Sequence, residues 1–187
     1  MHRPDHTKMN SLSFNRHFHN ANKPLRKAAV LMPLVQRENG LNLIFTQRAL
    51  HLKHHPGQIS FPGGKHEITD ASLAFTALRE TEEEIGIAQN KVNIIGSLPP
   101  LTTNSGFHVT PYIGLLDDTH GLQIDLNEVE TCFEAPLAFM LNPEHFSTQR
   151  FMINNTFHKT YCCHYKQHLI WGATAQMVMN LQQHFHD

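Results

Sequence analysis

The chain has 187 residues, a hydrophobic fraction of 40% and a formal net charge of -1, which is enough apolar material for one domain with a real core. Its longest apolar run, Ala28 to Val35, contains Pro33 and falls far short of the ~20 residues a membrane span needs. The absence of a domain-wide basic excess, or of a basic stripe interleaved with aromatics, argues against a nucleic-acid partner.

Charge is unevenly spread along the chain. Met1 to Lys27 carries six Lys or Arg residues against the single acid Asp5. Residues 1–27 therefore read as a basic, frayed N-terminal arm rather than a targeting segment, ahead of one domain over residues 28–187. Three cysteines, Cys132, Cys162 and Cys163, make no disulfide framework and fit a reducing, cytoplasmic compartment. None of the 16 histidines stands in a convincing zinc spacing, so His54-His55 reads as a loop pair.

In chain order, Ala28 to Leu34 predicts a buried strand and Leu41 to Arg48 a second, joined through the turn-forming Glu38-Asn39-Gly40. His54 to Gly64 is rich in Pro and Gly and predicts a loop around a short extended Ile59-Ser60-Phe61. Ala71 to Ile85 has helical spacing, with Ala74, Ala77, Leu78, Thr81 and Ile85 on one face. Asp70 or Thr69 is placed to cap its start, and Gly86 to end it. Val92 to Leu98 and His108 to Leu116 predict strands, Pro136 to Leu141 a short helix with proline in its first turn, and Phe151 to Tyr165 extended chain. Thr174 to Phe185 predicts a closing amphipathic helix with Ala175, Val178, Leu181 and Phe185 inward. Strands mixed with helices imply an α/β or α+β layered domain.

The chemistry concentrates on the first helix. Glu80, Glu83 and Glu84 stand at i, i+3 and i+4 and project from one side. Four glutamates in five residues, Glu80 and Glu82 to Glu84, repel one another, and Arg79 offsets only part of this. A solvated acidic face is the bland alternative. Carboxylates without Cys or His at the matching positions favour Mg²⁺ or Mn²⁺ over Zn²⁺. Magnesium held by a few carboxylates commonly also engages substrate phosphates, which points to hydrolysis of a pyrophosphate linkage.

Arg79-Glu80-Thr81-Glu82-Glu83-Glu84-Ile85-Gly86-Ile87, behind a glycine loop, resembles the signature of the Nudix hydrolases. Thr81 stands where an aliphatic residue is usual. The resemblance implies an α/β/α sandwich with a mixed sheet between helices. It also implies Glu83 and Glu84 as principal metal ligands, Glu80 as a further ligand or water-activating base, and Arg79 as the residue orienting the carboxylates. Counting back from Arg79 puts Lys65 and Ala71 where the signature has glycine and glutamate, leaving Glu67 or Asp70 to take the missing acid's place.

A second resemblance lies upstream. Leu43 to Ala49, Lys53, Gly57 and Phe61-Pro62-Gly63-Gly64 are similar to the coenzyme A diphosphatase branch of that superfamily, where arginine is usual at the position of Lys53. The likeness implies Mg²⁺- or Mn²⁺-dependent cleavage of coenzyme A and its derivatives to 3′,5′-ADP and 4′-phosphopantetheine. Arg48, Lys53, Gly57, Phe61, Gly63 and Gly64 would then contact substrate. The partner implied is a small molecule, with no nucleic acid or membrane, and a homodimer stays open. Each residue also has a plain structural alternative: Phe61 and Trp171 as core or pocket wall, Arg48 in a structural ion pair, Gly63-Gly64 as turn formers, Glu128 and Glu130 as exposed helix-start acids rather than a late ligand or base. Competing functions are a Nudix diphosphatase for NADH or ADP-ribose and a non-catalytic nucleotide sensor of the same fold.

Overall fold

The computed structural model describes residues 24–116, 122–153 and 156–186. Most of the predicted basic arm, residues 1–23, lies outside the described residues. At its end, Arg26 and Lys27 already belong to the first strand, β1 (Arg26–Arg37).

β1 is the spine of the main sheet. It runs parallel to the full length of β7 (Phe107–Leu116), from Arg26 beside Phe107 to Val35 beside Leu116. Its other edge is shared: β2 (Gly40–Arg48) pairs antiparallel with residues 34–37, whereas β4 (Gly63–Lys65) pairs antiparallel with residues 28–30. Pro33 falls in the gap between these two partners, where its missing N–H costs the ladder nothing. β1 and β2 thus fork, and the fork is filled by β3 (Ile59–Ser60), paired with Thr46 and Gln47 of β2, and by β4. Leu31 N donates to Pro62 O at 2.9 Å between them. β8 (Val129–Pro136) covers the outer edge of β2, and β5 (Val92–Ser97) and the short β6 (Leu101–Thr102) pair with β7.

Alternation along β1 and β2 sends side chains to two cores. Met32, Leu34, Leu43 and Phe45 meet Ala175, Val178 and Leu181 of the closing helix α3 (Gly172–His186). On the opposite face Ala29 and Leu31 pack with Ala77, and Val35 and Ile44 with Ile85 and Ile87, at or just beyond helix α1 (Leu73–Ile85). A mixed sheet between helices is the expected sandwich. A short helix, α2 (Leu137–Met140), follows β8 with Pro136 as its N-cap.

Several boundaries differ from the sequence reading. Phe151 to Tyr165 is not one extended run but parts of two antiparallel strands, β9 (Phe146–Ile153) and β10 (Thr156–Tyr165), joined in a separate sheet by β11 (His168–Trp171). Glu128 and Glu130 begin no helix; Glu128 lies in the turn just before β8 and Glu130 within its start. Phe185 is 60% exposed, not inward, and Gln182 is buried in its stead, with Nε2 donating to Met140 O at 2.7 Å. Among the described residues no helix is long and apolar enough to cross a membrane.

Candidate active site

Helix α1 starts at Leu73, nearly two turns before Arg79 and Glu80. Its cap is Ser72, whose Oγ accepts from Phe75 N at 3.1 Å, rather than Asp70 or Thr69. Asp70 is not free to cap, because its carboxylate is already committed. It accepts Glu67 N at 2.9 Å, the Thr76 hydroxyl at 2.8 Å, and both Nε (2.9 Å) and Nη2 (3.2 Å) of Arg79. The guanidinium holds the buried carboxyl well below the usual carboxylate range, more than offsetting its desolvation. Of the two acids that sequence leaves open for the missing signature glutamate, Asp70 is the one bonded to Arg79, while Glu67 is exposed.

Arg79 distributes its remaining donors among the helix carboxylates: Nη2 to Glu80 Oε1 at 2.9 Å and Nη1 to Glu83 Oε2 at 2.8 Å. Asp70 raises the guanidinium's pKa still further above its ordinary value, so the cation is permanent. The helix face this creates is not the apolar stripe expected. Ala74 and Leu78 are half-buried, while Thr76, Ala77, Thr81, Glu84 and Ile85 are buried. Thr81, where an aliphatic residue is usual in the resembling family, is fully buried because its hydroxyl donates to Ala77 O at 2.6 Å within the helix.

Glu84 is 5% exposed. Its Oε2 accepts Gly63 N at 3.3 Å, and burial, reinforced by the negative charges of Glu128 and Glu80, pushes its carboxyl up to about 8 against the opposing pull of that N–H and of Arg48. Burial also raises the Glu80 carboxyl, with Arg79 opposing and Glu83 and Glu128 reinforcing. Glu128, exposed on the loop before β8, is therefore part of the same centre, although sequence favoured no role for it. Ala49 N donates to Glu128 O at 2.9 Å and fixes that loop beside the end of β2.

The glycines form the cradle. A Cβ on Gly64 would lie 2.5 Å from both Glu80 carboxylate oxygens, and one on Gly63, held at φ 150°, would meet the backbone of Ala29 and Val30. Their observed neighbours are thus helix α1, through Glu80, and β1. Arg48 is half-buried at the end of β2, Lys53 is exposed, and Gly57 (φ 70°) closes the intervening loop by donating its N–H to Arg48 O at 3.0 Å. Phe61 must be taken off the list of substrate contacts: it is 2% exposed, belongs to the α3-side core and stacks on Phe45 with centroids 4.7 Å apart. Trp171 is half-buried and stacks on Phe151.

The donor set fits a hard divalent cation. Glu128 raises the cost of ionising both Glu80 and Glu84, Glu80 adds to that of Glu84, and the buried Glu84 carboxylate has a single long hydrogen bond. Assembly is incomplete as the side chains stand. Among the described residues no three His, Cys, Asp or Glu groups converge to hold an ion, and Glu83, expected to join Glu80 and Glu84, instead faces Arg79. Cys132 is no competitor for a softer metal, since burial pushes its thiol up to about 12.

Comparison with known proteins places these features in a wider set. A family model described as NUDIX domain matches residues 25–151. A protein of Shigella boydii serotype 4 (strain Sb227) called "Uncharacterized Nudix hydrolase NudL" is 39% identical over 156 residues, covering 83% of this chain and 81% of its own. Its namesake in Escherichia coli O157:H7 is 38% identical over the same shares. Among solved structures, the Caenorhabditis elegans Ap4A hydrolase binary complex superposes with a TM-score of 0.51 at 19% identity, over 59% of this chain and 80% of that one. A hydrolase from M. smegmatis, RenU, gives 0.52 at 14% identity, over 63% and 74%. At those identities the two structures speak for the fold alone.

Proposed function

The chain belongs to the Nudix hydrolase family, and from that footing we propose that it hydrolyses the pyrophosphate bond of coenzyme A or a derivative, releasing 3′,5′-ADP and 4′-phosphopantetheine or its acylated form. The observation that carries the reading is the meeting of opposite charges at one place. The negative charges of Glu80 and Glu128 both act on the buried Glu84, that of Glu128 acts on Glu80 as well, and the end of β2 presents Arg48, whose charge reaches Glu84.

In this reading Glu80 and Glu84 are ligands of Mg²⁺ or Mn²⁺, with Glu83 joining once released from Arg79. When bound, the cation supplies neutralisation of pyrophosphate charge and acidification of water. The protein's own groups do the rest. Arg79 and Asp70 orient the carboxylates, Gly63 N steadies Glu84, and Arg48 offers a planar fork to a phosphate oxygen pair. Glu128 is placed to take the proton of the attacking water, because it is exposed beside the buried pair and carries no hydrogen bond that would occupy its carboxylate among the described residues. Lys53 and Gly57 complete the substrate side. The domain so defined begins with β1 at Arg26, and its three free thiols suit a reducing cytoplasm.

The test is direct: the protein is incubated with coenzyme A and Mg²⁺ and the products are identified by mass. Both fragments are expected, and the absence of both removes the substrate assignment. NADH and ADP-ribose in parallel distinguish the competing diphosphatase reading.

A further inference from the structure

The contacts of Asp70 do not end at Arg79. Thr76, fully buried in the first turns of helix α1, brings its hydroxyl to 2.8 Å from Asp70 Oδ2, and His66 Nδ1 stands 2.8 Å from the same hydroxyl. His66 comes directly after β4, and its backbone N–H donates to Lys27 O of β1 at 3.0 Å, so it is tied to the sheet rather than to the helix. Its ring makes no hydrogen bond to the carboxylate itself, since Nδ1 is 3.6 Å from Oδ2. Neither His66 nor Thr76 belongs to the run Arg79 to Ile87 or to the upstream residues that carry the family resemblance.

One proton decides how this line of contacts is wired. The Thr76 hydroxyl can donate only once. Two oxygens are within its reach, Asp70 Oδ2 at 2.8 Å and Ser72 O at 3.2 Å, the carbonyl one turn back in the helix. Donation to Asp70 is the shorter and is assisted by charge. Donation to Ser72 O, or to the imidazole, leaves two oxygen acceptors facing each other at 2.8 Å. With its proton on Asp70, the hydroxyl shows only lone pairs to His66, so Nδ1 must carry a proton and donate it. That bond in turn fills the acceptor side of the hydroxyl and favours the rotation that serves Asp70. Asp70 Oδ2 is then held by Glu67 N and Thr76 while Oδ1 holds Arg79 Nε, the guanidinium whose other nitrogens reach Glu80 and Glu83.

We propose that His66 is a positioning residue of the hydrolytic centre: its Nδ1–H, donated to the Thr76 hydroxyl, commits that hydroxyl to Asp70, and Asp70 in turn keeps Arg79 and the helix carboxylates in line. The inference rests on helix α1 carrying the hydrolytic carboxylates, whichever pyrophosphate they act on.

Two measurements on the full chain need no substrate. Long-range ¹H–¹⁵N correlation spectra at about pH 8, where an ordinary imidazole is neutral, should show His66 as the Nδ1–H tautomer. The Nε2–H tautomer overturns the proposal, even where a variant does not fold. The Arg79 Nε–H resonance should resist solvent exchange in the wild type and exchange about tenfold or more faster in His66→Leu, which keeps bulk and removes the donor. His66→Asn, whose amide N–H can take the place of Nδ1–H, should restore the protection. Circular dichroism checks the fold of each variant.

Turnover separates positioning from packing. With a pyrophosphate substrate that the wild type cleaves, His66→Leu should lose about tenfold in kcat, the scale for removing an outer partner of a metal site, with KM little changed. His66→Asn should regain most of it. Thr76→Val should show the same loss, and His66→Leu added to it should cost nothing further. A kcat unchanged by His66→Leu, losses that add in the double variant, or an Arg79 signal unmoved by His66→Leu overturns the proposal. Should the wild type cleave no pyrophosphate, the hydrolytic reading falls, and the two spectra still decide whether His66 holds Asp70 in place.

Discussion

Arg79 Nε lies 2.9 Å from Asp70 Oδ1, and through this contact a residue outside the helix orients the carboxylates on it. The other guanidinium nitrogens reach Glu80 and Glu83, so moving Asp70 would release all three. Replacing Asp70 by Asn leaves the half-buried Arg79 without its main counter-charge, at a cost of about 3 kcal/mol in folding stability. Urea denaturation at pH 7 measures this, and kcat should fall together with it.

The same pair sets an acid limit. The folded-state pKa of Asp70 is depressed, so its contribution is complete above the unfolded carboxylate value, about 4, and is lost as pH falls from there through the folded value. The stability gap between wild type and Asp70→Asn should therefore be constant from pH 5 to 7 and close progressively in more acid solution. A gap that widens on acidification contradicts the assignment.

Glu84 has the opposite sign. Its folded pKa lies above the unfolded one, so between about 4.5 and 8 the native state holds a proton that the unfolded chain has released. In chelator, stability should fall as pH rises across that window and level off above it. Mg²⁺ should restore it at pH 8. Glu84→Gln should abolish turnover yet raise the chelator Tm at pH 8 by a few degrees, about 2–4 °C per kcal/mol for a domain this size. Differential scanning calorimetry with and without Mg²⁺ reads both effects.

Neighbouring glycines should fail differently. An added methyl at Gly64 meets the end of a flexible side chain, Glu80, whereas at Gly63 it meets the backbone of β1. Gly64→Ala is expected to keep its fold and lose about a hundredfold or more in kcat through misplacement of the carboxylate. Gly63→Ala should lose about 2 kcal/mol or more of stability. Paired thermal melts and rates separate the two.

Arg48 and Phe61 form a second contrast. Arg48→Ala should raise KM about tenfold or more with little change in Tm, and Arg48→Lys should recover part of it. Phe61→Ala should cost about 3–5 kcal/mol, because the ring is stacked inside the core, and the protein that remains folded should keep an ordinary KM.

How much of this was legible beforehand depended on the range of the interaction. Helical spacing marked Glu80, Glu83 and Glu84, and apolar runs on either side of a turn marked β1 and β2, since both are local signals. Asp70 was one of two candidates because its choice depends on where Arg79 points, nine residues on. Glu128 could not be assigned, as it is brought to the centre by contacts distant in sequence, with Ala49 at the end of β2 and through Asp125 with Glu84. Phe61 was misplaced for a related reason: a sequence contiguous with the glycine cradle turns its side chain to the far face of the sheet. The divided strands β9 and β10 and the short β11 went unseen because no glycine or proline marks the break between them.

The fork between β1 and β2 has a mechanical implication. The segment carrying Gly63 and Gly64 is stitched by main-chain bonds to one strand on each side, so it cannot swing outward without unzipping the centre of the molecule. Any hinged closure over substrate must therefore be supplied by the peripheral loops. Amide exchange at Gly64 and Lys65 should be as slow as that of the deepest strands, while the amides of His51 to His55 should exchange far faster.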